Sequence, residues 1–138
     1  VMAPPQLTAE FRKVHQFVVF AVNTPVQTAI AGYLKDPENY LHLGSFYQEK
    51  RDSFLNLIKG SRFKAVPASG TYFQLLNYSQ ISNEQELDFA IRLTKEFKIA
   101  SVPVSSFYHN SEDNKVLRFC FAKTPETLEK AAEVLCKI

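Results

Sequence analysis

The chain of 138 residues has no tryptophan, one methionine, two cysteines and four glycines. Cys120 and Cys136 share no metal-ligand spacing, so they are expected as buried, reduced thiols of a cytoplasmic protein. Gly32, Gly44, Gly60 and Gly70 are too scattered for any two of them to cradle a phosphate. No His-Glu-x-x-His, Cys-x-x-Cys or Gly-x-Ser-x-Gly occurs, and no metal site is predicted. No apolar stretch approaches the ~18 residues that span a bilayer. Residues 1–15 lack the basic-then-apolar order of a signal peptide. The net charge of +2, without a Lys or Arg run, argues against nucleic acid or an acidic surface as partner. Internal repeats and flexible linkers are also missing.

What remains is ordinary globular material, about one domain long. Twelve Phe and six Tyr supply bulk for a core. Val1-Met2-Ala3-Pro4-Pro5 reads as a strand tail running into a turn, so the chain is expected to start inside a larger protein. Thr8 is a fair cap for a helix through about Val18. Asn23-Thr24-Pro25 opens a second helix to about Leu34, broken at Asp36-Pro37. Tyr40 to Lys59 reads as a long helix, weakened by Gly44 and stopped by Gly60.

The period then changes. Phe63–Val66 and Thr71–Leu76 read as strands around the turn Pro67-Ala68-Ser69-Gly70. Ser82 and Asn83 open a helix whose capping box would use Gln85 or Glu86. Ala100–Phe107 is a strand candidate in which Pro103 argues for an edge or a bulge. Residues 109–115 look like a loop, and Val116–Ala122 is the clearest strand. Thr124-Pro125-Glu126 caps the last helix. The expected fold class is α+β, with 37–138 as one two-layer α/β sandwich and 1–36 as a helical piece of something else.

Three places are candidates for chemistry. Strand alternation puts Leu117, Phe119 and Phe121 on one face, and Val116, Arg118, Cys120 and Ala122 on the other. An arginine among apolar neighbours needs an anion or a route to solvent. Arg118 is therefore either a carboxylate clamp or a side chain snorkelling at a sheet edge. Gly70-Thr71-Tyr72-Phe73 either sets Tyr72 at a pocket rim or is a plain turn into a strand. Phe20, beside the Asn23 cap, either serves a partner or packs in a core. His15, His42 and His109 lie far apart and read as packed or solvated residues.

Several segments taken in order resemble class I aminotransferases of fold type I, nearest the methionine, glutamine and kynurenine branch. They are Phe11-Arg12-Lys13-Val14-His15-Gln16-Phe17, Asn23-Thr24-Pro25-Val26-Gln27 and Phe46-Tyr47-Gln48-Glu49-Lys50-Arg51-Asp52. Pro67-Ala68-Ser69-Gly70-Thr71-Tyr72-Phe73, Val102-Pro103-Val104-Ser105-Ser106-Phe107-Tyr108 and Arg118-Phe119-Cys120-Phe121-Ala122-Lys123 continue the series.

The resemblance implies an enzyme that uses pyridoxal 5'-phosphate to move an amino group between an amino acid and a 2-oxo acid. It implies a cytoplasmic homodimer, with residues 1–36 trailing from a large domain and 37–138 forming the C-terminal small domain. Movement of that small domain would close the site over substrate. Arg118 would bind the substrate α-carboxylate. Tyr72 would stand near the substrate entrance, and Phe20 in a loop lining the other subunit's site. Ala21 stands where some relatives carry histidine. The family's Schiff-base lysine lies in a Ser-x-x-Lys stretch, and none of the eleven lysines here has that context. No catalytic or cofactor-binding residue is therefore assigned, and the chain by itself is expected to be inactive. The alternative is a stand-alone α+β ligand-binding or regulatory domain.

Overall fold

The computed structural model describes residues 2–138. Val1, part of the expected strand tail, lies outside the described residues. Two compact units follow one another, Val1–His42 and Leu43–Ile138.

The first unit is helical. Helix α1 spans Pro5–Val18 and α2 spans Thr24–Tyr33. Helix α1 begins before the expected cap. Pro4 stands at the N-cap and Pro5 at the first helical position, where a missing N–H costs nothing. Thr8 Oγ1 instead donates back to the Ala3 carbonyl at 3.0 Å. Asn23 caps α2 as its residue type predicts, its Oδ1 accepting from the Val26 N–H at 3.2 Å. A 3-10 turn follows at Pro37–Asn39, capped by Asp36. No described residue of this unit is buried.

The second unit holds helix α3 (Leu43–Leu57), strands β1 (Lys64–Ala65) and β2 (Phe73–Asn77), and helix α4 (Glu86–Phe97). Strand β3 (Val102–Pro103), a 3-10 turn (Val104–Phe107), strand β4 (Val116–Cys120) and helix α5 (Pro125–Leu135) complete it. Helix α3 starts three residues later than expected, because Tyr40 closes the preceding 3-10 turn. Helix α4 also starts late. Ser82 Oγ donates to the Glu84 carboxylate at 2.6 Å and accepts from the Glu84 N–H, making a local turn instead of a cap. Lys98, at φ 60°, ends α4 in the left-handed conformation.

The sheet is antiparallel throughout, in the order β1-β2-β4-β3. Pro103 occupies an edge strand, where its lack of an N–H is tolerated. The expected strand 100–107 is cut to two residues, and the rest coils into the 3-10 turn. Alternation along β2 and β4 turns Gln74, Leu76, Leu117 and Phe119 inward. Leu76, Leu117 and Phe119 join Phe54 of α3, Ile58 just after it, Phe89 and Leu93 of α4, and Leu128 and Leu135 of α5 in one core. Such burial stabilises by roughly 1.5–3 kcal/mol per large apolar side chain.

Both cysteines are exposed, against expectation. Cys120 lies on the outer face of β4, two residues beyond Arg118, so alternation points it away from the core. Cys136 follows the last buried leucine of α5, with Sγ 3.6 Å from the Leu57 carbonyl.

Candidate functional site

Arg118 sits mid-strand in β4, paired with Leu75 of β2 on one side and Val102 of β3 on the other. Its side chain leaves the face opposite the core. On that face Phe73 is its diagonal neighbour across β2, within reach of long side chains. The guanidinium carbon lies 4.8 Å from the Phe73 ring centroid and 5.1 Å from that of Phe107. Each such contact contributes about 0.5–2 kcal/mol, depending on desolvation. Two aromatic faces fix the plane of the cation and leave its in-plane N–H groups open at the edges.

No described carboxylate pairs with Arg118; the ion pairs present use other cations. The arginine is half-buried and lines a cleft of about 400 Å³ with Tyr72, Phe73 and Cys120. Lys98 and Lys123 line the same cleft, and no Asp or Glu does. Most of the remaining wall is apolar, including Phe54, Phe119, Leu128 and Leu135, so the charges at the cleft are all positive and favour an anion over a cation. Ser101 adds a buried Oγ without a hydrogen-bond partner to its wall.

Tyr72 is half exposed, its ring 6.4 Å from Tyr47 and 5.8 Å from Phe73. It follows Thr71, whose φ of 69° is rare for a β-branched residue. The left-handed residue of this turn is thus Thr71; no glycine has positive φ. Phe20 belongs to the first unit, is 86% exposed and has φ 63°. Backbone of this kind costs on the order of 1–3 kcal/mol and collects at functional positions. Arg118 and Tyr72 thus share one cleft, while Phe20 lies outside their unit.

One residue escaped the sequence reading. Glu86, first in α4, is 1% exposed. Its Oε2 accepts from the Ser105 N–H at 2.6 Å, and its Oε1 from those of Asn114 and Val116 at 3.0 and 2.9 Å. Three backbone donors and the N-terminus of α4 offset the cost of burying this charge. The one sequence signal was an acid at a helix start, which reads as capping.

Acids and bases cluster around that helix start. The Arg92 guanidinium, with help from Ser82, holds the Glu84 carboxyl below its ordinary value. Arg92 is raised in turn by Glu84. Burial pushes Asp113 up, but hydrogen bonds from Lys115 and from the Glu86 N–H outweigh it and leave the carboxyl lowered. Burial, then nearby Asp113 and Glu86, drives the Tyr78 phenol far above its usual range, so it stays a neutral donor to the Glu84 carbonyl at 2.8 Å.

No lysine is buried, and the two half-buried ones are engaged. Lys50 Nζ donates to the Lys123 carbonyl, and Lys115 Nζ to Asp113 and the Glu84 carbonyl. Lys98, at the cleft, donates to the Lys95 carbonyl. No group of His, Cys, Asp and Glu among the described residues suits a metal ion.

The second unit is thus an antiparallel sheet backed by helices, with an arginine clamped between two rings on its outer face, the architecture of a fold type I aminotransferase's smaller part. Residues 1–135 match the model of the family described as aminotransferase class I and II, and the chain belongs to that family. It is 44% identical over 135 residues to a methionine aminotransferase of Escherichia coli strain K12, covering 97% of this chain and 35% of the relative. It is 31% identical over 159 residues to a kynurenine–oxoglutarate transaminase of Dictyostelium discoideum, covering 99% and 37%. A crystal structure from Escherichia coli, of a protein identified as having a methionine aminotransferase function, superposes with a TM-score of 0.89. The identity there is 43%, over 99% of this chain and 36% of that one. N-succinyldiaminopimelate aminotransferase from Mycobacterium tuberculosis superposes at 0.86 with 25% identity, over 98% and 36%. The chain spans about a third of the length of the curated relatives it matches.

No described helix is long and apolar enough to cross a membrane.

Proposed function

We propose that these residues form the C-terminal part of an enzyme that transfers an amino group between an amino acid and a 2-oxo acid. The amino donor is of the methionine, glutamine or aromatic type. Arg118 holds the substrate α-carboxylate. The observation that supports this reading is a half-buried guanidinium without a carboxylate partner among the described residues, flanked by the Phe73 and Phe107 rings, on an arginine that lines a cleft with no acid in its wall. A carboxylate fits its planar edge by two parallel hydrogen bonds. Fixing the carboxylate fixes the direction of the α-C–H bond, which lowers the barrier to its cleavage through orientation. Tyr72 lines the same cleft and contacts the substrate side chain; Phe20 contributes to a partner subunit's site.

The family works through pyridoxal 5'-phosphate, whose electron-sink chemistry is the cofactor's own. None of the eleven lysines sits in the family's motif, so no step through the cofactor is assigned to these residues. Residues 1–36 belong with the large domain and 37–138 with the small one. The homodimer and the cytoplasmic location are carried by family membership alone. The stand-alone binding-domain alternative has no observation in its favour.

The test is titration of the full-length protein carrying this sequence with methionine, glutamine and an aromatic amino acid, followed by cofactor absorbance. Arg118→Ala weakens binding by about 2–5 kcal/mol, the usual cost of truncating one side of a buried charge pair. The 138 residues alone turn over nothing in the same assay. An unchanged response in the variant removes the carboxylate assignment.

A further inference from the structure

Arg118 is clamped by two rings that are held in different ways. Phe73 belongs to β2 and is half-buried. Phe107 is 62% exposed and has little packing to hold it. It ends the 3-10 turn Val104–Phe107, so its position follows from the backbone of that turn. The N–H of Ser105, inside the turn, donates to Glu86 Oε2 at 2.6 Å. The other oxygen of the same carboxylate accepts from Val116, first residue of β4 and two residues before Arg118. It also accepts from Asn114, just before that strand. One carboxylate thus grips both the turn that carries Phe107 and the strand that carries Arg118.

We propose that Glu86 is a positioning residue for substrate-carboxylate binding: its two oxygens fix Phe107 relative to β4, and Phe107 in turn fixes the plane of the Arg118 guanidinium. The proposal rests on the reading of Arg118 as the carboxylate clamp. Glutamine at 86 keeps the shape but not the function. Its amide has one oxygen, and its NH2 group confronts N–H donors, so the grip on one segment is lost. Aspartate is a methylene shorter and cannot span both segments. The site needs an acceptor at both ends, without hydrogens, on a side chain of this length.

Glu86 never touches substrate, so the effect is selective. Ligands bound through a carboxylate feel the clamp; ligands without one do not. The experiment uses the full-length protein carrying this sequence, with methionine and its decarboxylated amine, 3-(methylthio)propylamine, as ligands. Four variants are compared: Glu86→Gln, Phe107→Leu, the two combined, and Arg118→Ala. Each single change at 86 or 107 weakens methionine binding by about 10- to 100-fold, as expected for a misplaced binding group. Neither changes affinity for the amine. The double variant is no weaker than the poorer single variant, because both act through one path. In protein labelled with 15N at arginine, the Arg118 Nε–H resonance shifts in both single variants as the ring currents of the clamp change.

Additive losses, equal loss for methionine and the amine, or an unmoved Arg118 resonance would each overturn the proposal. Should Glu86→Gln not fold, Phe107→Leu decides: it is a surface change that leaves Glu86 in place, and full retention of methionine preference breaks the path. Arg118→Ala separates the two levels. If it keeps the preference for methionine over the amine, the clamp reading itself fails. If it loses the preference and Glu86→Gln keeps it, the role of Glu86 alone fails.

Discussion

Glu84 and Arg92 make the best-formed ion pair of the second unit, with Nη2 to Oε2 at 2.7 Å and Nε to the two oxygens at 3.1 and 3.0 Å. Arg92 also lies 5.0 Å over the Phe89 ring. The carboxyl is lowered by this pairing, so its contribution is fully present above its ordinary value of 4.5 and is lost as pH falls through the lowered value. Glu84 is 37% exposed at its side chain, so solvent screening keeps the gain small. Glu84→Gln is expected to cost less than about 1 kcal/mol at neutral pH. In urea titrations across pH, that difference should shrink below pH 4.5; a gap that widens on acidification contradicts the assignment. The apolar neighbours of Arg118 marked it at this scale as a half-buried cation, but left a clamp and a snorkelling side chain both open, and the rings that flank it could not be read from them. Glu86 was not legible, because its partners lie 19, 28 and 30 positions away and are backbone N–H groups, which leave no mark in composition.

Elements with a strong local signal formed as read. Thr124 Oγ1 accepts from the Thr127 N–H and Pro125 opens α5, as the cap pattern implied. The alternation in β4 correctly sorted Leu117 and Phe119 from Arg118 and Cys120. Weak signals shifted boundaries. The first expected residues of α4 form the Ser82–Glu84 turn, and most of 100–107 lies outside the sheet, with Ser105 bound to Glu86 in the 3-10 turn. The two faces of the sheet should differ sharply in energy. Leu117 and Leu76 are register partners, both fully buried, whereas Leu75, opposite Arg118, is 42% exposed. Leu117→Ala is expected to destabilise by about 2–5 kcal/mol through the cavity it leaves. Leu75→Ala should cost well under half of that. Urea midpoints of the two variants measure the contrast, and near-equal losses would mean the faces are wrongly assigned.

The molecule as a whole divides its stability unevenly. Every core residue lies in Leu43–Ile138, while no described residue before Leu43 is buried. Helices of 14 and 10 residues without burial are marginal in water. Residues 43–138 alone should therefore unfold in one cooperative urea transition, and a 1–42 peptide should show little helix by circular dichroism. A broad, non-cooperative transition of 43–138 would show that its core needs more than itself. The α+β class was readable because periodicity switches near Gly60, while the aromatic clamp depends on cross-strand register and a distant turn that no window of sequence reveals. The sheet also ends guardedly on both sides. Its two rims are strands of only two residues, one carrying Lys64 and the other Pro103. An approaching chain finds a charge along one flank, and along the other a missing donor followed by a 3-10 turn, so both rims disfavour the edge pairing from which fibrils grow.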